Sequence, residues 1–171
     1  MRRSTALMSV AAVAIMASNA FAQGKANFAG TWNIVQDPNA AAAAPGGGMG
    51  RGGRGGGGGF GPTFTIVQDA KTLTITRTMG QNEVKSVYNL DGSESKNSVM
   101  GRGGQAQEVV SKAKWDVDKI VIETPRTGQD GTVTTTTQTL ELDNAGVLWV
   151  STTRPGQDGA PMTTKVQYKK S

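Results

Sequence analysis

Apolar and polar side chains alternate with period two along most of this chain beyond residue 30, the spacing of strands that bury one face and expose the other. The cleanest run is Val109 to Asp116, with Val109, Ser111, Ala113 and Trp115 on one face and Val110, Lys112, Lys114 and Asp116 on the other. The first of these faces is expected to point inward. The same parity groups Leu73 with Ile75, Ile120 with Ile122, Leu148 with Val150, and Val166 with Tyr168. Ten strands are predicted, beginning near Thr31, Thr63, Thr72, Glu83, Glu94, Ala106, Lys119, Thr132, Val147 and Met162. Alternation is weakest at Glu94 and Ala106, so the expected number is eight to ten. No stretch beyond the first residues holds a 3.6-residue period, and the expected class is all-β: an up-and-down antiparallel meander.

The connections divide into two kinds. One set is Gly-rich: the run from Asp37 to Pro62, Gly80-Gln81-Asn82, Gly101 to Gly104, Gly128 to Gly131 and Gly156 to Gly159. The set between them is Asp-rich: Asp69-Ala70, Asp91-Gly92, Asp116-Val117-Asp118 and Asp143 to Gly146. Alternate connections of a meander lie at the same end, so one end is expected to be Gly-rich and the other tight and acidic. Asp91-Gly92 is a two-residue hairpin signal, because Gly supplies the positive φ that such turns require.

Three strands place an Arg on inward parity just before a Gly-rich connection: Leu73, Ile75, Arg77; Ile120, Ile122, Arg126; and Leu148, Val150, Arg154. In a meander these guanidiniums gather at one mouth, joined by Arg51, Arg54 and Arg102 from the loops of that end. An anionic group arriving there would meet bidentate donors. The alternative is a solvated rim whose Arg stems cover apolar surface. Asp130 and Asp158 belong to the same end and would partly neutralise it. Thr134, Thr136 and Gln138 share parity with Leu140 and Leu142, which fits either a hydrated interior or a strand at an edge.

Composition narrows the possibilities. Met1-Arg2-Arg3, an apolar run from Ala6 to Ala17 and the small-x-small tripeptide Ala20-Phe21-Ala22 read as an export signal, residues 1–22, with Gln23 as the mature N-terminus. The expected location is periplasmic or extracellular, and no transmembrane segment is expected in the mature chain, residues 23–171. The chain has no Cys, so the exported fold is expected to stand without disulfides. Loss of Arg2 and Arg3 with the leader leaves 16 basic against 13 acidic residues, a mildly basic net charge of +3. That balance and the leader argue against a nucleic-acid partner. The segment 39–61 is an Ala run followed by Gly-dominated sequence with two RGG triplets, too poor in apolar surface to offset its ordering entropy, and is expected to be a disordered loop. With no His and no Cys, Ser-His-Asp, Cys-His and His-based zinc chemistry are unavailable, and neither a metal nor a cofactor is expected. The carboxylate pairs Asp116/Asp118 and Glu141/Asp143 fall at the tight end, where Asp ordinarily serves turn backbone.

Asn27-Phe28-Ala29-Gly30-Thr31-Trp32 opens the mature domain and Lys165 to Lys170 closes it. With the Asp-Gly hairpin and the Lys112 to Asp116 strand end, this pattern resembles small secreted bacterial lipocalin-like proteins of the calycin type. The resemblance covers most of the mature chain apart from the Gly-rich insert. It implies a calycin-like barrel with Trp32 plugging the closed base and Lys169 or Lys170 stacked over it as a cationic partner. It also implies a ligand rather than an activity. The expected function is non-catalytic binding of a small amphiphilic or hydrophobic ligand of anionic character by Arg77, Arg126, Arg154, Thr134, Thr136 and Gln138. The alternative is a structural or interaction module with a filled barrel, whose Gly/Arg-rich loop, through Arg51, Arg54 and Arg102, contacts an anionic envelope or extracellular polymer.

Overall fold

The computed structural model describes residues 25–35, 59–79, 81–100, 106–127, 131–156 and 158–171. The expected export signal, residues 1–22, with Arg51, Arg54, Arg102, Asp130 and most of the expected 39–61 loop, lies outside the described residues. Ten strands form one sheet: β1 (Gly30–Ile34), β2 (Thr63–Gln68), β3 (Thr72–Met79), β4 (Asn82–Asn89), β5 (Asp91–Met100), β6 (Ala106–Asp116), β7 (Lys119–Thr127), β8 (Val133–Leu142), β9 (Leu148–Pro155) and β10 (Pro161–Lys170). Their order is β4-β3-β2-β1-β10-β9-β8-β7-β6-β5, every ladder antiparallel. This is an up-and-down meander that curls into a nearly closed barrel. The weak alternation at Glu94 and Ala106 belongs to full strands, β5 and β6, of 10 and 11 residues.

The first and last strands pair inside the ladder, Trp32 opposite Lys170 and Ile34 opposite Tyr168, so the discontinuity falls between β4 and β5. Those two strands share no backbone ladder; side chains bridge them. The Val87 N–H donates to Asn97 Oδ1 at 2.7 Å and Asn97 Nδ2 donates to the Val87 carbonyl at 3.0 Å. The Asn89 N–H donates to Ser95 Oγ at 2.8 Å. A primary amide carries the same donor and acceptor as a peptide group, so Asn97 substitutes for the missing backbone partner of Val87. Asp91-Gly92 therefore does not centre a laddered hairpin: Gly92 has the expected positive φ of 86°, but β5 is displaced by an irregularity between Asp91 and Glu94.

The tight end is the closed one. Phe28 is fully buried there, with its N–H donating to Gln68 Oε1 at 2.9 Å, while Gln68 Nε2 donates to the Ala26 carbonyl at 3.2 Å. Trp32 Nε1 in turn donates to the Phe28 carbonyl at 2.8 Å. These bonds fix residues 26–28 as a plug beneath the core. Of the two terminal lysines, Lys170 carries the ammonium that lies over Trp32, 5.8 Å from the ring centroid. Lys169 has the opposite parity and pairs with Asn33 on the exposed face. Gly30 allows this cover: a Cβ there would collide with Cε of Lys170, and its φ of 140° disfavours any side chain.

Above the plug, Leu73, Ile120, Ile122, Leu140, Leu148 and Val150 interlock with Trp32, Phe64 and Tyr168, all essentially buried. Each such aliphatic side chain contributes about 1.5–3 kcal/mol by leaving water. Phe60, near the end of the expected loop, enters this core: it is buried, edge-on to Phe64 with ring centroids 5.2 Å apart, and its N–H donates to the Tyr168 hydroxyl at 3.2 Å.

Candidate ligand-binding site

Followed from the plug towards the Gly-rich connections, the inward positions change character along each long strand. On β7 they read Ile120, Ile122, Thr124, Arg126; on β8, Leu140, Gln138, Thr136, Thr134; on β9, Leu148, Val150, Thr152, Arg154. Cross-strand register holds the change level. Ile120 faces Leu140, which faces Val150; Thr124 faces Thr136 in the ladder and meets Ser111 through its hydroxyl, and Arg126 faces Thr134. Apolar layers therefore stack at the plugged end and polar layers at the other.

The polar layers enclose a cavity of about 430 Å³, open at the Gly-rich end. Arg77 from β3, Arg126 from β7 and Arg154 from β9 all line it, as do Thr134, Thr136 and Gln138 from β8. The strand that carries these last three is laddered to β7 on one side and β9 on the other, so it is interior to the sheet, not an edge. The remaining walls are Ser86 and Tyr88 of β4, Asn97 of β5, Val109 and Ser111 of β6, Thr124 of β7, and Thr152 and Pro155 of β9. Gly59, Phe60 and Ile75 separate the cavity from the core below.

The electrostatics are one-sided. Among the described residues, the cavity lining includes Arg77, Arg126 and Arg154 and no Asp or Glu. Among the described residues the ion pairs join Lys96 to Glu108, Lys112 to Glu94 and Lys119 to Glu141, and none engages a guanidinium. Asp158, at the same end, is exposed and spends Oδ1 on the N–H of Ala160 at 3.1 Å within its own turn. The acidic residues of the far end do likewise. Asp69 accepts from Lys71 N and Thr72 N, each at 2.7 Å, and from the Thr72 hydroxyl, which holds its carboxyl below the usual range. Asp143 accepts from Val147 N and Ala145 N at 2.9 Å and from Trp149 Nε1 at 3.2 Å, and its pKa is lowered by those bonds. Among the described residues no cluster of carboxylates is arranged to hold a metal ion.

Hydroxyls dominate the walls. Ser111 Oγ and Thr124 Oγ1 lie 2.9 Å apart and share a hydrogen bond. Burial pushes the Tyr88 phenol above its ordinary pKa, while a hydrogen bond with Ser86 and the positive charge of Arg77 pull it partly back. Ser86, Ser111, Asn97 and Tyr88 were not singled out by sequence reasoning. Parity offered a signal for them, since Ser86 alternates with Val84 and Tyr88, and Ser111 with Ala113; but a small polar residue on an inward face equally suits a packed core.

No protein-family model matches this chain, and no curated protein matches it.

Proposed function

We propose that this chain is an exported, non-catalytic binding protein of calycin-like architecture that takes a small anionic ligand into the upper half of its barrel. One observation carries the reading: arginines from three separate strands line a single cavity to which, among the described residues, no carboxylate contributes. Guanidiniums so placed suit a carboxylate, sulfate or phosphate, because each presents a planar fork of donors. The volume is at the small end of ligand pockets, which commonly span about 300–1,000 Å³. Export is inferred from the leader, and the absence of Cys is compatible with it. Retention without turnover is inferred from the lining: the chain has no His, and among the described residues no carboxylate stands beside the serines and threonines of the cavity.

The test is native mass spectrometry of the protein recovered from an exporting host. A discrete added mass that is lost on denaturation, and that is missing when Arg77, Arg126 and Arg154 are all replaced by Ala, is the expected result. An adduct that persists in the triple variant would sink the assignment of these residues. A bare protein that also fails to take up any anion would transfer the argument to the Gly/Arg-rich segment, whose deletion would then carry the phenotype.

A further inference from the structure

We infer that the ligand is an anionic saccharide, a sugar ring bearing a carboxylate or phosphate, and not a hydrocarbon-chain amphiphile; this rests on the cavity being a binding site for an anion. The first argument is room. An acyl chain needs an apolar tunnel, and the apolar half of this barrel is occupied by Leu73, Ile120, Ile122, Leu140, Leu148 and Val150, each fully buried. Nothing of a chain's length fits beneath Phe60 without expelling core side chains from a close-packed interior.

The second argument is polarity. A chain confined to the upper half would lie against Thr136 and Gln138. It would displace the water that hydrates them and return no hydrogen bond, leaving polar groups buried and unmatched. A sugar ring does the reverse. Its hydroxyls donate and accept around the ring edge, matching hydroxyl and amide walls that do both. Its anionic group takes the guanidiniums.

The third argument is the boundary with the core. Phe60 is the aromatic surface between core and cavity, held edge-on by Phe64 and anchored through its N–H to the Tyr168 hydroxyl. Gly59 lies so close to that hydroxyl that a Cβ would collide with it, which lets the backbone carry Phe60 inward. Phe60, only 5% exposed, gives the cavity a small apolar floor that suits the C–H face of a sugar ring, while the polar edge and the charge of the ring meet the walls.

Isothermal titration of the full-length chain with galacturonate, glucose 6-phosphate, glucose, inorganic phosphate and palmitate tests this. Both anionic sugars are expected to bind at least about tenfold more tightly than glucose or inorganic phosphate, a tenfold step being about 1.4 kcal/mol. Palmitate is expected not to bind. Thr136→Val with Gln138→Leu, which keeps every charge, is expected to erase the advantage of glucose 6-phosphate over phosphate; circular dichroism checks that the variant is folded. Inorganic phosphate binding as tightly as glucose 6-phosphate would overturn the saccharide assignment while leaving an anion site. Palmitate binding with the sugars silent would overturn it in favour of an amphiphile. Silence from all five compounds would overturn both the saccharide and the anion reading.

Discussion

The two halves of this barrel are built from the same strands and do opposite things. Towards the plug, inward side chains from facing strands meet and exclude water: Ile120 against Leu140, Leu140 against Val150, Trp32 against Phe64. Towards the Gly-rich end, the same β7, β8 and β9 present Thr124, Thr136 and Thr152 and then Arg126, Thr134 and Arg154, and about 430 Å³ stays empty of protein. Small hydroxyl side chains cannot reach across a ten-strand barrel, so the void follows from side-chain size as much as from polarity. Filled and open layers are thus separated along the barrel axis, with stability expected of the first and the proposed recognition of the second.

The separation makes its largest prediction in stability. Ile122→Ala or Leu140→Ala, at fully buried sites, should each cost about 2–5 kcal/mol, because the layer cannot collapse around the hole. Thr136→Ala, on the cavity wall two residues below Thr134, should cost about 1 kcal/mol or less. Urea denaturation of the three variants measures this directly. Equal losses in both halves would mean that the upper layers carry the fold as well, and the division would be wrong.

Alternation alone made the fold legible, because a period of two with turn residues at each end leaves a meander few other solutions. The convergence of Arg77, Arg126 and Arg154 was legible for a related reason: their parity follows their strands and their end follows from counting connections. The size of the void was not legible. Ser111 read as interior by parity, and Ser86 and Thr152 share that parity on their own strands, but nothing local separates a small hydroxyl residue packed against neighbours from one facing water. The β4/β5 discontinuity was also hidden. Asp91-Gly92 promised a laddered hairpin, and only the three-dimensional path shows Asn97 and Ser95 bonding to the backbone of β4. Lys170 in place of Lys169 turned on a single residue of register at the chain's end.

That discontinuity gives the next effect in size, and it bears on the upper half, where Asn97 is both a bridge and a wall residue. Asn97→Ala would strand the N–H and the carbonyl of Val87, at a cost of about 1–3 kcal/mol. Hydrogen exchange at the Val87 amide should rise more than at Val150, inside the full ladder. If the two amides respond alike, the discontinuity is no weaker than the sheet around it. A smaller effect of opposite sign is expected at the plugged end. Val117 is a β-branched residue at φ 58° in the Val117-Asp118 turn, and it is 86% exposed, so nothing packs there to offset the strain. Val117→Asn should raise stability by about 1 kcal/mol, and because the turn is remote from the cavity, ligand affinity should not change.

The chain's two tyrosines sample one half each, which makes them the finest probe of the division. Tyr168 is enclosed among core side chains and Tyr88 lines the cavity; burial raises the pKa of both. For an acid whose folded pKa is raised, the stabilising difference is complete below the unfolded value, near pH 10, and is lost as pH climbs through the folded value. An ultraviolet titration of the native protein should therefore show little tyrosinate at pH 10, with the unfolded chain already half ionised. An anion seated on Arg77 would cancel the charge that pulls the Tyr88 pKa down, so ligand should move the Tyr88 step further upward and leave Tyr168 in place. Tyr88→Phe should delete the ligand-sensitive step and only that one. Two steps that shift together with ligand would show that charge in the upper half is felt in the core, and that the two halves are electrostatically one.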